Sequence, residues 1–270
     1  MPRLTASQEA FYRIYNDEGL LKRIDLGLKP RDDGQLLFQF KNKFSEQLPE
    51  RVVDIGCGDG AHTFQLSEVF SDAQIAGIDP FAPAIEQAIE NCSDEDRECV
   101  SFLQGSIESL PFEDSSTDAL WCFDMFCHVE DPSAALAECH RIMAQTARFL
   151  LCTAISTPNM DHTTWEALRP IGLHRSSMDS SFLTNAFESA GFSVLHHDNY
   201  RSEFLEAIEQ EDPGRVSKDF MRLGRLARDP DHWNDQIGAD NVSLLHALIS
   251  YNLAILTGKL DYQAWILTKK

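Results

Sequence analysis

Val52-Val53-Asp54-Ile55-Gly56-Cys57-Gly58-Asp59-Gly60 is the stretch whose reading decides the fold. A β-branched run stops abruptly at three glycines in alternate positions, and a helical pattern over 61–70 follows. β-Branched residues favour an extended, buried chain. Alternating glycines permit a tight turn and let a ligand approach bare backbone. The start of the next helix adds free N–H groups and partial positive charge. The following strand-like run, Gln74–Asp79, ends in an acid and then Pro80. A carboxylate at that strand tip accepts the two hydroxyls of a ribose. Asp54, Gly56, Cys57, Gly58, Asp79 and Pro80 are therefore candidate cofactor residues. The loop also satisfies the loose dinucleotide pattern G-x-G-x-x-G/A, so by itself it fits either a nicotinamide dinucleotide or another nucleoside cofactor.

Outward from this stretch, strand and helix alternate. Strands are expected over 100–103, 118–123 and 148–155, with helices over 83–91 and 132–144. Such alternation implies an α/β fold, a doubly wound and mostly parallel sheet covered by helices on both faces. Farther on come a helix over 180–190, a strand over 192–196 and a last strand over 260–268. The segment between those strands, 199–260, is too long for a hairpin loop and carries helical apolar patterns. It is expected to be a helical cap inserted before an antiparallel last strand, over the ligand edge of a seven-stranded sheet. Residues 1–47 are expected to be an N-terminal helical segment, with helices over 5–18 and 34–47, and the whole chain 1–270 to be one domain.

The formal net charge is −20, which argues against a nucleic-acid surface, since that needs a basic stripe. It suits a small neutral or cationic substrate. No apolar run approaches the ~20 residues that span a bilayer, and the first residues lack a signal-like core. A cytoplasmic protein without a membrane partner is expected, as a monomer or homodimer. The seven cysteines include no C-x-x-C pair and read as reduced core thiols. No metal site is expected. His196-His197-Asp198 puts adjacent histidines on opposite faces of a strand.

Later segments carry a resemblance. Gly105-Ser106-Ile107-Glu108-Ser109-Leu110-Pro111-Phe112-Glu113-Asp114 is followed by His128-Val129-Glu130-Asp131-Pro132, then Glu138-Cys139-His140-Arg141-Ile142-Met143, and later Gly191-Phe192. In this order and spacing, behind the glycine loop, the array resembles the class I methyltransferases that use S-adenosyl-L-methionine (AdoMet), in their small-molecule branch. The resemblance covers roughly residues 40–198 and 260–270. It implies that Asp79 holds the ribose and that Gly56 and Gly58 face the methionine part. It also implies that Ile107 lies against adenine with its N–H, and that Phe123 stands beside the methyl group. It further implies an acid at position 106 for the adenine amino group. This chain has Ser106 there, a weaker acceptor.

Methyl transfer is an in-line displacement whose activated group the cofactor supplies. The protein aligns the acceptor, excludes water and removes a proton where needed. Candidates lie in Phe123-Asp124-Met125-Phe126-Cys127-His128: Asp124 to hold a substrate ammonium or hydroxyl, His128 as general base or as a loop-shaping residue. Trp165, Arg169, His174 and Arg175 fall on a segment that lines acceptor pockets in such sheets. A comparable N-terminal segment closes over the cofactor in the enzymes this chain resembles, which implies that role for Tyr12 and Tyr15, with core packing as the alternative; Trp233 and Tyr251 are candidates for an aromatic cage around a methylammonium group. The expected activity is methylation of nitrogen or oxygen on a small molecule, with an amine preferred. A non-catalytic AdoMet-binding subunit and a nicotinamide oxidoreductase are the alternatives.

Overall fold

The computed structural model describes residues 34–44 and 47–270, apart from the side chains of 210 and 211. The expected helix over 5–18, with Tyr12 and Tyr15, lies outside the described residues. One sheet holds seven strands: β1 (Arg51–Ile55), β2 (Gln74–Asp79), β3 (Val100–Gln104), β4 (Thr117–Phe123), β5 (Met143–Ser156), β6 (Phe192–Arg201) and β7 (Leu260–Lys269). Their order is β3-β2-β1-β4-β5-β7-β6. The pairs β1–β2, β1–β4, β2–β3 and β4–β5 are parallel. β7 runs antiparallel to both β5 and β6. The winding reverses between β1 and β4, so the crevice at the carboxyl ends of these strands is the ligand edge.

The helices are α1 (Gly34–Lys41), α2 (Ala61–Val69), α3 (Ala82–Asn91), α4 (Pro132–Ile142), α5 (His162–Leu168) and α6 (Ser180–Ser189), followed by α7 (Glu203–Glu211), α8 (Arg215–Arg228), α9 (Pro230–Ile237) and α10 (Ala239–Leu256). Alternation along each central strand splits the core in two. Trp121, Phe123, Leu150 and Cys152 share one cluster with α1, α2 and the α7–α10 cap. Leu120, Cys122, Phe149 and Leu151 share the other with α4 and α6. Both faces are buried, which is why these strands read as near-continuous apolar runs. The cap is thus continuous with one face of the sheet. Among the described residues no helix is long and apolar enough to cross a membrane.

Three boundaries differ from expectation. α1 ends at Lys41, where the chain tightens into i→i+3 bonds, Lys43 N to Phe40 O at 3.0 Å and Phe44 N to Lys41 O at 3.1 Å. β5 starts directly at Met143, because the helix before it stops there and the backbone turns extended. β6 continues to Arg201, paired with β7 up to Arg201↔Tyr262 despite two register irregularities. Ladder bonds override the poor strand propensity of His-His-Asp-Asn, so the cap helices start at Glu203 rather than 199.

The chain after β3 is tied to α4 by one side chain. Arg141 forks onto Glu138 at 2.7 and 2.8 Å, reaches Asp114 at 2.7 Å, and donates to the carbonyls of Phe112 at 2.8 Å and Leu110 at 3.1 Å. Glu138 in turn accepts from Leu110 N at 2.8 Å. These charge-assisted bonds hold the Ser106–Asp114 stretch against the body of the sheet.

Candidate active site

Gly56, Gly58 and Gly60 all have positive φ, +77°, +55° and +89°, a region that L side chains rarely adopt. Gly56 N and Cys57 N both donate to Ile78 O, at 2.7 and 3.0 Å, so the loop is pinned to the tip of β2. The three glycines serve different ends. A Cβ on Gly56 would sit 2.4 Å from Met125 Cγ, and one on Gly60 would sit 2.8 Å from the Phe102 ring. On Gly58 it would meet nothing within 4 Å. Gly58 therefore faces open space, the cradle that a cofactor needs at this edge.

The two acids flank that cradle. Asp79, 1% exposed, accepts from Gly58 N at 3.1 Å and Phe81 N at 2.9 Å, one bond to each oxygen. Each carboxylate oxygen has a second lone pair for a ribose hydroxyl. Burial pushes the Asp79 carboxyl up to about 7, against the pull of those two N–H donors. Asp54 lies beneath the loop, where it accepts from Thr63 Oγ1 at 2.7 Å and so ties β1 to the first turn of α2. Burial raises it to about 6. The Cys57 thiol packs against Gly77, and burial beside Asp54 and Asp79 pushes its pKa far up, so it stays a neutral thiol. Pro80 accepts from the Gln104 side chain at 3.0 Å, which links the tips of β2 and β3.

At the tip of β3, Ser106 O accepts from Ser109 N at 3.0 Å and closes a turn that presents Ile107 and Glu108. Ile107 is buried in the core. The Ser106 hydroxyl accepts from Glu108 N at 3.3 Å and donates to the Glu108 carboxylate. The hydroxyl thus keeps one lone pair with which to accept a further donor.

β4 ends at Phe123, whose ring lies edge-on to His62 at 4.9 Å and to Phe204 of the cap at 5.8 Å, and parallel to Tyr262 at 6.3 Å. The intervening residue on β5 is the small Cys152, with Ala264 beyond it on β7, which leaves these rings room on one face. The next residue, Asp124, has φ +53°. Its Oδ1 accepts from the Tyr262 hydroxyl at 2.8 Å and the Tyr251 hydroxyl at 3.0 Å. A strand tip, a cap helix and the last strand thus meet at one carboxylate oxygen. Burial, then Asp124, holds the Tyr251 hydroxyl well above its ordinary pKa, so it remains a donor. His128 follows in a single helical turn, half-buried. Its imidazole interacts with the backbone of Gly172 and Ile171, and burial lowers its pKa, so the ring is neutral near pH 7.

Other expected residues separate. Tyr251 joins Asp124, whereas the Trp233 indole donates to Arg225 O at 3.1 Å inside the cap, and among the described residues no ring contact joins the two. The aromatic wall near Asp124 comes instead from Phe123, Phe204 and Tyr262. Phe204 and Tyr262 carried no local motif, since only the cap topology brings them here. Arg175 stacks over Trp165 at 4.5 Å, and Arg169 makes an exposed pair with Glu166 at 3.5 Å. His174 contributes its backbone N–H to Cys127 O at 2.9 Å. His196 bonds Asp198 at 2.7 Å, while His197 stacks on Trp265 at 4.8 Å, consistent with opposite faces of β6.

Residues 53–151 match the family model described as a methyltransferase domain. The chain is similar to phosphoethanolamine N-methyltransferase 1 of Triticum aestivum, 24% identical over 177 residues, 64% of this chain and 34% of that one. It is 36% identical to the Bacillus subtilis methyltransferase YcgJ over 101 residues, 37% of this chain and 39% of that one. The matches thus span about a third of the length of these curated relatives. Among solved structures, a putative sarcosine dimethylglycine methyltransferase from Galdieria sulphuraria shares the fold with TM-score 0.68 at 18% identity, over 88% of this chain and 84% of that one. Haemonchus contortus phosphoethanolamine N-methyltransferase 2 does so with TM-score 0.70 at 15% identity, over 100% of this chain and 61% of that one. The chain thus carries a methyltransferase domain over residues 53–151, and that domain holds the Gly58 cradle and the buried acid on the neighbouring strand tip within a sheet closed by an antiparallel β7, the fold of the AdoMet-dependent methyltransferases it resembles.

Proposed function

We propose that the protein transfers the methyl group of AdoMet to the nitrogen of a small amine. The observation that carries this reading is Asp124: a carboxylate held by two phenols at the tip of β4, beside the aromatic faces of Phe123, Phe204 and Tyr262. An anion among aromatic rings favours a cation, both as an ammonium substrate and as a methylated product. The name of the similar phosphoethanolamine N-methyltransferase of Triticum aestivum supports the same acceptor class.

AdoMet would supply the activated methyl there, with Asp79 to hold its ribose, Gly56 and Gly58 its methionine part and Ile107 its adenine. The chain does the rest. Asp124 draws the amine to the β4 tip and fixes its orientation. The rings keep water from the reacting nitrogen. Neutral His128 accepts the amine's proton, with its ring oriented by the backbone at Ile171 and Gly172.

The test incubates the protein with isotopically labelled AdoMet and a panel of phosphoethanolamine, sarcosine, dimethylglycine and a catechol, read by mass spectrometry. Methylation of an amine, lost in Asp124→Ala while S-adenosylhomocysteine still binds, is the expected result. Methylation of the catechol alone overturns the amine acceptor. Binding of S-adenosylhomocysteine without turnover on any widened panel favours a non-catalytic subunit.

A further inference from the structure

Met125 stands where the glycine loop meets the tip of β4. Its side chain lies directly on the loop: a Cβ on Gly56 would fall 2.4 Å from Met125 Cγ, 2.7 Å from its Cβ and 3.3 Å from its Cε. Gly56 is held from the other side, where its N–H donates to Ile78 O at 2.7 Å. The backbone of Met125 joins Asp124 to His128. Asp124 precedes it in the chain, and the Met125 carbonyl accepts from His128 N at 2.9 Å, the bond that closes the single turn carrying the imidazole.

We infer that Met125 is a positioning residue through which an occupied cofactor loop fixes the Asp124–His128 turn, so that cofactor binding raises the affinity for the acceptor amine; the acceptor side of this rests on the reading of Asp124 above. Asp124 has φ +53°, and a non-glycine residue keeps such a backbone only where its surroundings over-determine it. Its carboxylate is held by Tyr251 and Tyr262, and its N–H by Cys152 O at 2.9 Å. The chain just beyond it is held by the Met125 side chain against Gly56. That support is only as firm as the loop, which contains three glycines at positive φ, the residue type whose backbone is least restricted. A ligand seated at the open face of Gly58 restricts the loop, and with it the surface on which Met125 rests. An unbranched thioether side chain suits a contact with a bare α-carbon, because it fills irregular gaps closely. Coupling of this kind is reciprocal: the amine must tighten cofactor binding by the same factor.

Amide hydrogen exchange with and without saturating S-adenosylhomocysteine tests the link from loop to turn without any acceptor. In the wild-type protein the ligand is expected to slow exchange at His128 and Val129 by about tenfold. Met125→Leu, of similar volume, should keep most of that slowing. Met125→Ala should lose it while residues 56–60 are still protected by the ligand, which shows that the variant folds and binds. Should the alanine variant fail to fold, Met125→Val decides, with most of the slowing expected to be lost. Calorimetry then compares phosphoethanolamine, or another amine found active, with and without S-adenosylhomocysteine. The wild-type protein should bind the amine about tenfold tighter with the ligand present, and Met125→Ala equally in both conditions. Slowing at His128 that survives in Met125→Ala, or none in the wild-type protein, overturns the inference. If exchange behaves as expected but no amine binds, the reading of Asp124 fails and the link from loop to turn stands.

Discussion

The Tyr262 hydroxyl lies 2.8 Å from Oδ1 of Asp124, although Tyr262 stands on β7 and Asp124 directly follows β4, with β5 between those two strands. The bond joins the last strand, laid down after the cap, to the tip of β4. Tyr251 adds a second bond to the same oxygen at 3.0 Å, and its own hydroxyl lies 3.4 Å from that of Tyr262. Asp124 carries these bonds on a left-handed backbone that a non-glycine residue rarely adopts. A charge that must sit at this place is held there by donors from two other elements.

Removing those donors should separate acceptor binding from cofactor binding. Tyr251→Phe and Tyr262→Phe each delete one hydroxyl and leave the ring packing intact. Each should cost about 1–2 kcal/mol of stability, since the bonds are to a charged group and largely buried. Denaturant unfolding measures that. With phosphoethanolamine or another amine found active, the double variant should raise KM about tenfold with kcat less affected and with S-adenosylhomocysteine affinity unchanged. On an Asp124→Ala background the two changes should add almost nothing to KM. Additive effects there would mean that the tyrosines act elsewhere.

The glycine loop offers a contrast within one motif. Gly58→Ala strains a backbone at φ +55° but meets no neighbour. It should cost about 1 kcal/mol of stability while reducing S-adenosylhomocysteine affinity by more than tenfold, because the added methyl fills the cradle. Gly56→Ala meets Met125 at 2.4 Å and should be more destabilising, by about 2–3 kcal/mol. Adding Met125→Ala should recover part of that loss. Thermal unfolding beside calorimetry distinguishes the two glycines. Equal stability losses would show that the open space at Gly58 is not there.

Cofactor affinity should depend on pH through Asp79. Its carboxyl titrates at about 7 in the free protein, raised by burial. The ribose hydroxyls bond to the ionised form, so binding must release a proton wherever the free group is protonated. Affinity for S-adenosylhomocysteine should rise about tenfold from pH 6 to pH 8 and then level off. Proton release, measured by titrating in buffers of different ionisation enthalpy, should be large at pH 6 and small at pH 8. A flat profile would remove Asp79 from the ribose site.

Much of this was legible in the sequence, for reasons tied to particular residues. β1, the glycine loop and Asp79 lie within one unbroken strand–turn–helix–strand unit, so local rules sufficed. Both-face burial made Leu120–Phe123 and Phe149–Cys152 plain apolar runs. The stretches 110–114 and 138–141 read as two separate motifs, and the Arg141 fork shows that they are one device. Tyr262 and Phe204 were not legible as site residues, because their place depends on how β7 returns beside β5 and how the cap folds back. Tyr251 was legible as an aromatic near the acceptor but not as a donor to Asp124, since no local pattern encodes a bond across 127 residues. The end of β6 was missed because its partner strand, not its own composition, keeps it extended.

The buried acids should also make the free protein less stable as pH rises. Asp54 is raised from 3.8 to about 6 by burial, so between those values the folded state holds a proton that the unfolded state has lost. The stability this confers is fully present below pH 4 and declines as pH rises through 6, by about 3 kcal/mol for a shift of about two units. Asp79 adds a decline of the same sign that extends to about pH 7. Asp54→Asn keeps an oxygen for the Thr63 hydroxyl and has no charge to bury. Relative to wild type, the variant should therefore gain stability progressively from pH 4 to pH 7, with the difference levelling off above that. Urea unfolding of both proteins at several pH values reads the difference directly and cancels the repulsion common to the two, which at a net charge of −20 also grows with pH. A difference that stays constant across this range would mean that Asp54 keeps an ordinary carboxylate pKa despite its burial, and that the Thr63 bond outweighs its desolvation.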